Sequence, residues 1–320
     1  MSSLPGLDAV TARLSDLGYG AGWAATRYAP ESVARSAFDA IGGFAGRRNG
    51  GPEQLRRNLS RVIGTSVDEV PDELVEAAMR SYARYWCEAF RLPTQDLASA
   101  AATAHLADAE RADLDAAIAR GKGVVLALPH TGNWDMAGVW LVQNYGRFAT
   151  VAERLKPESL FRRFVEYRES LGFEIFPLSG GERPPFGQLA ERLRDGGIVC
   201  LLGERDLAKH GVPVTFFGEP TRMPAGSARL AIETGATLMV AHHWFHEAPR
   251  SEISISGPID VSAGVDATTQ LLADTFARNI AAHPQDWHML QPLWQADWTE
   301  RQRARIAASE DDRATEEGGT

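Results

Sequence analysis

GVVLALPHTGNWDMAGVWL, residues 123–141, is an apolar run, a proline, a polar turn and a second apolar run. Val124, Val125, Leu126, Ala127 and Leu128 carry no polar side chain on either face, the pattern of a strand buried in a parallel sheet, and Pro129 closes it. His130 therefore stands at a strand's carboxyl end, where open α/β sheets bind their ligands. Thr131 and Asn133 are capping residues for a following helix whose unpaired N–H groups face the same mouth. Asp135 falls in the first turn of that helix, from which it is expected to reach back and hold the imidazole.

Outward from this stretch, strands and helices alternate. Phe148 to Ala152, Phe173 to Leu178, Ile198 to Leu202 and Thr237 to His242 read as strands. Helical patterns cover Glu158 to Leu171, Gln188 to Arg194 and the residues after Met223-Pro224, with a long loop expected up to about Arg222. Glu252 to Ile255 alternates like an edge strand, and Thr268 to Ala282 like a late helix. The prediction is an α/β fold: a mostly parallel central sheet flanked by helices. Up to about Phe90 only helices are legible, the helical N-terminal part is set at about residues 1–105, and a further helix is expected from about Leu106 to Arg120. Leu4, Leu7, Val10, Leu14 and Leu17 recur at helical spacing, and that apolar stripe either packs on the body or lies in a bilayer interface. One α/β domain is expected over residues 1–308, helical in its N-terminal part, with Trp287, Trp294 and Trp298 docked on the body. Residues 309–320 hold five acids, one Arg and no large apolar side chain, and read as a disordered acidic tail.

The totals narrow the partners. A net charge of −9 on 320 residues argues against nucleic acid as a partner of the whole molecule. The two cysteines, Cys87 and Cys200, fall in a helix and a buried strand, so buried reduced thiols are expected rather than a disulfide. No stretch approaches the roughly 18 consecutive apolar residues of a membrane span.

His130 invites acid–base chemistry. A neutral imidazole takes a proton from a hydroxyl as that oxygen attacks an acyl carbon, and a carboxylate on the other nitrogen fixes its tautomer. No G-x-S-x-G elbow is present, so direct transfer to a bound alcohol fits better than a covalent acyl-enzyme. Glu204 and Arg205, in GERDL (203–207), follow a second buried strand and face the same mouth; Glu204 is placed to hold an acceptor hydroxyl or the imidazole, and Arg205 to meet a phosphate. Glu153 ends another strand, and Arg154, Lys156, Arg162, Arg163 and Arg168 follow it, with Arg162 read as plain solvated surface. Arg47, Arg48, Arg56, Arg57 and Arg61 are either a solvated helix face or a grip on phosphate. Tyr82, Tyr85, Trp86 and Phe90 share a helical face that reads as core or as an interfacial surface. Glu233, in a helix that otherwise looks buried, wants a partner such as a ligand hydroxyl or amide. His242, His243 and His246 lack further ligands at zinc spacing, so no metal is expected.

HTGNWD, residues 130–135, resembles the H-x4-D motif of the glycerolipid acyltransferases, and its TGNW interior the branch containing the bacterial lipid A late acyltransferases. GYGAGW (18–23), QLRRNLSRVIG (54–64), SYARYW (81–86), EAFRLP (88–93), FFGEPTRMPAGSARLA (216–231) and TGA (234–236) resemble the actinobacterial phosphatidylinositol mannoside acyltransferases, covering nearly everything before the acidic tail. That resemblance implies a peripheral enzyme on the cytoplasmic face of the plasma membrane, bound to its anionic surface. It would move a palmitoyl-type chain from acyl-CoA, a co-substrate, to a mannose hydroxyl, the 6-position, of a phosphatidylinositol mannoside, with no cofactor or metal. It assigns His130 as general base, Asp135 as its orienting partner and Glu204 as a third functional position, where many relatives carry Asp. Glu153, Arg168 and Arg205 fall around the mannose and acyl donor, and His210 and Glu233 in the donor pocket; Arg154, from the cation cluster after Glu153, is counted with them as substrate-binding. Acylation of another glycolipid or a lysophospholipid, a catalytically silent lipid-binding protein, and a thioesterase remain the alternatives.

Overall fold

The computed structural model describes residues 22–154, 157–206 and 211–300. The stripe Leu4 to Leu17, Lys156, His210 and the acidic tail lie outside them. Residues 22–28 are helical, and after them come helices α1 (Glu31–Arg47), α2 (Glu53–Ile63), α3 (Asp72–Arg91) and α4 (Leu97–Ala101), then a short strand β1 (Ala104–Leu106) and α5 (Asp108–Ala119). Residues 123–141 hold strand β2 (Val124–Leu128) and the start of helix α6 (Trp134–Tyr145). After it come β3 (Phe148–Ala152), α7 (Glu158–Ser170), β4 (Glu174–Pro177), α8 (Pro185–Arg194), β5 (Ile198–Leu202), β6 (Val212–Phe216), β7 (Glu219–Met223), α9 (Gly226–Thr234), β8 (Thr237–Phe245), β9 (Ser251–Ser256) and α10 (Gly264–Ala282).

Seven strands form one sheet in the order β1-β9-β8-β2-β5-β3-β4. The five from β8 to β4 are mutually parallel, with β2 at their interior, flanked by β8 and β5. β2 is buried on both faces, as its unbroken apolar run requires. One face of the sheet packs under α6 with Met136, Val139, Trp140, Phe148 and Phe173; the other packs under α8, α9 and α10 with Leu193, Leu230, Ala231 and Phe276.

Three expectations change. The strand at Ser251–Ser256 is not an edge: it runs antiparallel to β8, and β1 pairs outside it. The expected loop before Arg222 is a two-stranded hairpin, β6 with β7, onto which the C-terminal aromatic segment docks: Trp294 Nε1 donates to Phe216 O at 2.9 Å, and Thr221 Oγ1 donates to Leu293 O at 2.6 Å. The arginines of 47–61 are engaged within the protein: Arg47 pairs with Glu76, Arg56 with Asp72, Arg57 with Glu53, and Arg61 with Asp297 and Glu219, while Arg48 lies over the Phe44 ring. Trp287 and Trp294 are fully buried, as expected of a docked terminus. Cys87 and Cys200 are free thiols, and burial pushes the Cys87 thiol up to about 11.

Candidate active site

β2 and β5 run side by side in parallel with Leu128 opposite Leu202. Two residues beyond each partner come His130 and Glu204, so the register alone brings them together. Glu204 Oε1 lies 2.7 Å from His130 Nδ1 and accepts the His130 backbone N–H at 2.6 Å. Glu204 is fully buried, which pushes its carboxyl up, but the His130 charge and the hydrogen bonds outweigh that and hold it below its ordinary value. An ionised acceptor on Nδ1 assigns the proton to that nitrogen and leaves the lone pair on Nε2. His130 keeps 21% of its side-chain surface, and Nε2 makes no hydrogen bond among the described residues. The imidazole is thus an oriented base with one open nitrogen.

The expectation that Asp135 holds the imidazole is corrected by this geometry. Its carboxylate, 1% exposed, accepts the Tyr85 hydroxyl at 3.1 Å and Arg168 Nε at 2.8 Å. The reason is the helix itself: successive residues point about 100° apart at 3.6 per turn. Trp134 takes the direction facing His130, ring edge to ring face at 5.3 Å, and Asp135 is carried round toward α3 and α7. Burial, and then the Asp135 charge, hold the Tyr85 and Tyr167 phenols well above their usual range. Burial alone would lower Arg168, but Asp135 more than compensates and secures its charge.

The turn between His130 and α6 is gripped at each residue. Thr131 Oγ1 lies 3.0 Å from His242 Nδ1, and Asn133 N–H donates to His243 Nδ1 at 2.9 Å. Asn133 also caps α6 by accepting Met136 N–H at 2.9 Å, and its amide donates to Glu88 at 2.9 Å. Gly132 has φ +54°, and a Cβ there would lie 2.2 Å from His243 Nδ1, so only glycine fits. Burial depresses His242 to about 3 and holds His243 well below its usual range, keeping both neutral. His246 pairs instead with Glu252, 3.2 Å away.

The remaining candidates divide by position. Glu153, beyond β3, and Arg205, beyond β5, stand at the same sheet edge as His130 and approach to 3.7 Å. Arg168 joins them through Asp135. Arg154 turns to Glu158 and to the carbonyl of Gly180, and Arg162 is exposed, as read from the sequence. Glu233 is not brought to the site: it is exposed, bonded to Arg229 at 3.2 Å, and ends α9, which returns to the opposite edge, where β8 begins beside Val124. Sequence reasoning missed Tyr85 as the partner of Asp135 and Trp134 as the wall beside His130. Their sign was polar or amphipathic groups set in apolar surroundings, which periodicity counts only as core.

Behind Trp134 a narrow apolar cavity runs between α6 and the sheet. Leu126 and Leu128, Trp140 and Leu141, Phe148 and Phe173, Cys200, Ile253 and Ile255 line it, and Asp135 and Arg168 supply its polar wall. The ensemble is an oriented base at a sheet edge, opening beside a greasy slot.

An α/β sheet carrying H-x4-D at the end of a central strand is the arrangement expected of the acyltransferase class that the sequence resembles. The model of the bacterial lipid A biosynthesis acyltransferase family matches residues 10–296, and the chain belongs to that family. It is similar to a phosphatidylinositol mannoside acyltransferase of Mycolicibacterium smegmatis, 59% identical over 295 residues, covering 92% of this chain and 96% of the relative. Proteins of that same name from two strains of Mycobacterium tuberculosis are 57% identical over 298 residues, covering 93% of this chain and 94% of each relative.

Proposed function

We propose that the protein transfers a palmitoyl-type acyl group from acyl-CoA to a mannose hydroxyl, the 6-position, of a phosphatidylinositol mannoside. The observation that carries the chemistry is the His130–Glu204 pair, with Nε2 open beside an apolar slot. The names of the similar proteins support the acceptor.

The acceptor O–H gives its proton to His130 Nε2 as its oxygen bonds to the thioester carbon. The carbonyl electrons move to oxygen, forming a tetrahedral intermediate. When the C=O bond re-forms, the C–S bond breaks, and the departing sulfur takes the proton back from Nε2. Glu204 stabilises the imidazolium between the two steps. The ester, free CoA and neutral His130 result, and the cycle calls on no metal or cofactor. In this reading the acyl chain lies in the slot behind Trp134, Glu153 and Arg205 meet the sugar and the donor at the mouth, and Asp135 holds Arg168 at its wall.

A peripheral station on an anionic membrane, at the cytoplasmic face, completes the proposal. Among the described residues no helix is long and apolar enough to cross a membrane. Tyr28 and, on α1, Val33, Ile41 and Phe44 are 59–77% exposed, an apolar row that suits an interface. The test is labelled palmitoyl-CoA offered with a panel of phosphatidylinositol mannosides, other glycolipids, lysophospholipids and water. Transfer to the mannoside that falls by about 10²–10⁴-fold in His130→Ala is expected. Full transfer by His130→Ala, or preference for another acceptor, overturns the proposal.

A further inference from the structure

We propose that Asp286, Ser81 and His288 form a buried positioning unit for His130, an inference that rests on His130 being the base of the reaction above. The segment 286–288 belongs to no strand of the sheet, yet it pairs with the turn that carries the base. His288 N–H donates to His130 O at 2.8 Å, Gly132 N–H donates to Asp286 O at 2.8 Å, and Thr131 and Trp287 form an antiparallel bridge between them. Side chains fix this strap in turn. The Asp286 carboxylate, 2% exposed, accepts the Ser81 hydroxyl at 2.5 Å and the Phe245 N–H at 3.1 Å. With the only hydroxyl proton spent there, Ser81 Oγ accepts from His288 Nε2 at 3.0 Å.

The same unit reaches the imidazole through its ring. His288 packs against Tyr85 at 5.8 Å and Trp134 at 6.0 Å, and Trp134 stands edge-on to His130. Burial and the nearby His130 charge push His288 down to about 3, so it stays a neutral donor whether or not His130 is protonated. Glu204 fixes the imidazole from β5, and the strap fixes its main chain and its neighbouring wall from the other side. Desolvating a carboxylate, a hydroxyl and an imidazole is costly where apolar packing would hold a segment. What the polar unit adds is direction, and a base displaced by about 1 Å loses up to about 10²-fold in rate.

Ser81→Ala, His288→Leu and His288→Gln in the full-length chain test this, the Gln amide nitrogen standing where ring Nε2 donates. Two readouts are taken: steady-state transfer from palmitoyl-CoA to a phosphatidylinositol mannoside, and the His130 Nδ1–H resonance in ¹⁵N-histidine-labelled protein. Ser81→Ala and His288→Leu are expected to lower kcat about 10- to 100-fold with the KM for palmitoyl-CoA within about twofold, to shift or broaden that resonance, and His288→Gln to restore most of both. An unmoved resonance with kcat per folded molecule within about twofold of the parent overturns the proposal even if Tm falls, as does His288→Gln behaving like His288→Leu. The two failures are distinguishable: a parent chain with no transferase activity sinks the reaction and with it the base this unit serves, whereas an active parent whose variants leave the resonance and kcat unmoved sinks this inference alone.

Discussion

At the residue scale, Glu204 decides which nitrogen of His130 is available. Both contacts with His130 fall on Oε1, and Oε2 is buried with no side-chain partner among the described residues, so a desolvated carboxylate is kept for its charge rather than for its full hydrogen-bonding capacity. Glu204→Gln keeps the shape and one acceptor but loses that charge, and kcat should fall about 10²–10⁴-fold. The pH dependence has a definite sign. Because the folded state holds Glu204 below its ordinary 4.5, its pairing stabilises the protein above that pH and the benefit is lost as pH falls through the lowered value. The Tm gap between the parent and Glu204→Gln should be full at neutral pH and close below that range; a gap that persists in acid contradicts the pairing. Asp135 is different in kind. Asp135→Asn leaves the Arg168 charge buried without its counter-charge and should cost about 3 kcal/mol by denaturant unfolding, whereas a loss of rate with unchanged stability would mean that Asp135 acts on the imidazole after all.

At the scale of elements, β2 and α6 were legible because burial on both faces leaves an unbroken apolar run and Asn133 carries a cap's chemistry. That His130 and Glu204 share a sheet edge followed from reading two buried strands. That they touch is a matter of register, which no single strand encodes. Asp135 was misplaced for the same reason: spacing puts it near His130, and the pitch of the helix turns it away. β1 is three residues long, too short to show an alternation. The β6–β7 hairpin hid because its two-residue turn is Phe217-Gly218, with φ of 49° and 78°: Phe stands where Asn or Asp is the usual signal. The turn before α6 has the opposite property. Gly132→Ala meets both a positive φ and a backbone and imidazole too close for any Cβ, and should lower Tm by at least the equivalent of about 1–2 kcal/mol while lowering kcat. A variant of parental stability and rate would show that the turn is looser than its contacts imply.

At the scale of the molecule, the paired arginines of α2 remove one membrane-binding candidate and the exposed row on α1 supplies another. Ile41→Glu together with Phe44→Glu should weaken flotation with anionic vesicles while leaving transfer to a short-chain, water-soluble acceptor within about twofold; undiminished vesicle binding places the contact elsewhere. The central claim is that one oriented base serves a direct transfer between two substrates bound together. Initial rates measured over a grid of palmitoyl-CoA and mannoside concentrations test it most directly, with intact mass recorded after donor alone. Intersecting double-reciprocal lines and an unmodified chain are predicted. Parallel lines with a chain heavier by one acyl group would show a covalent intermediate and contradict the account.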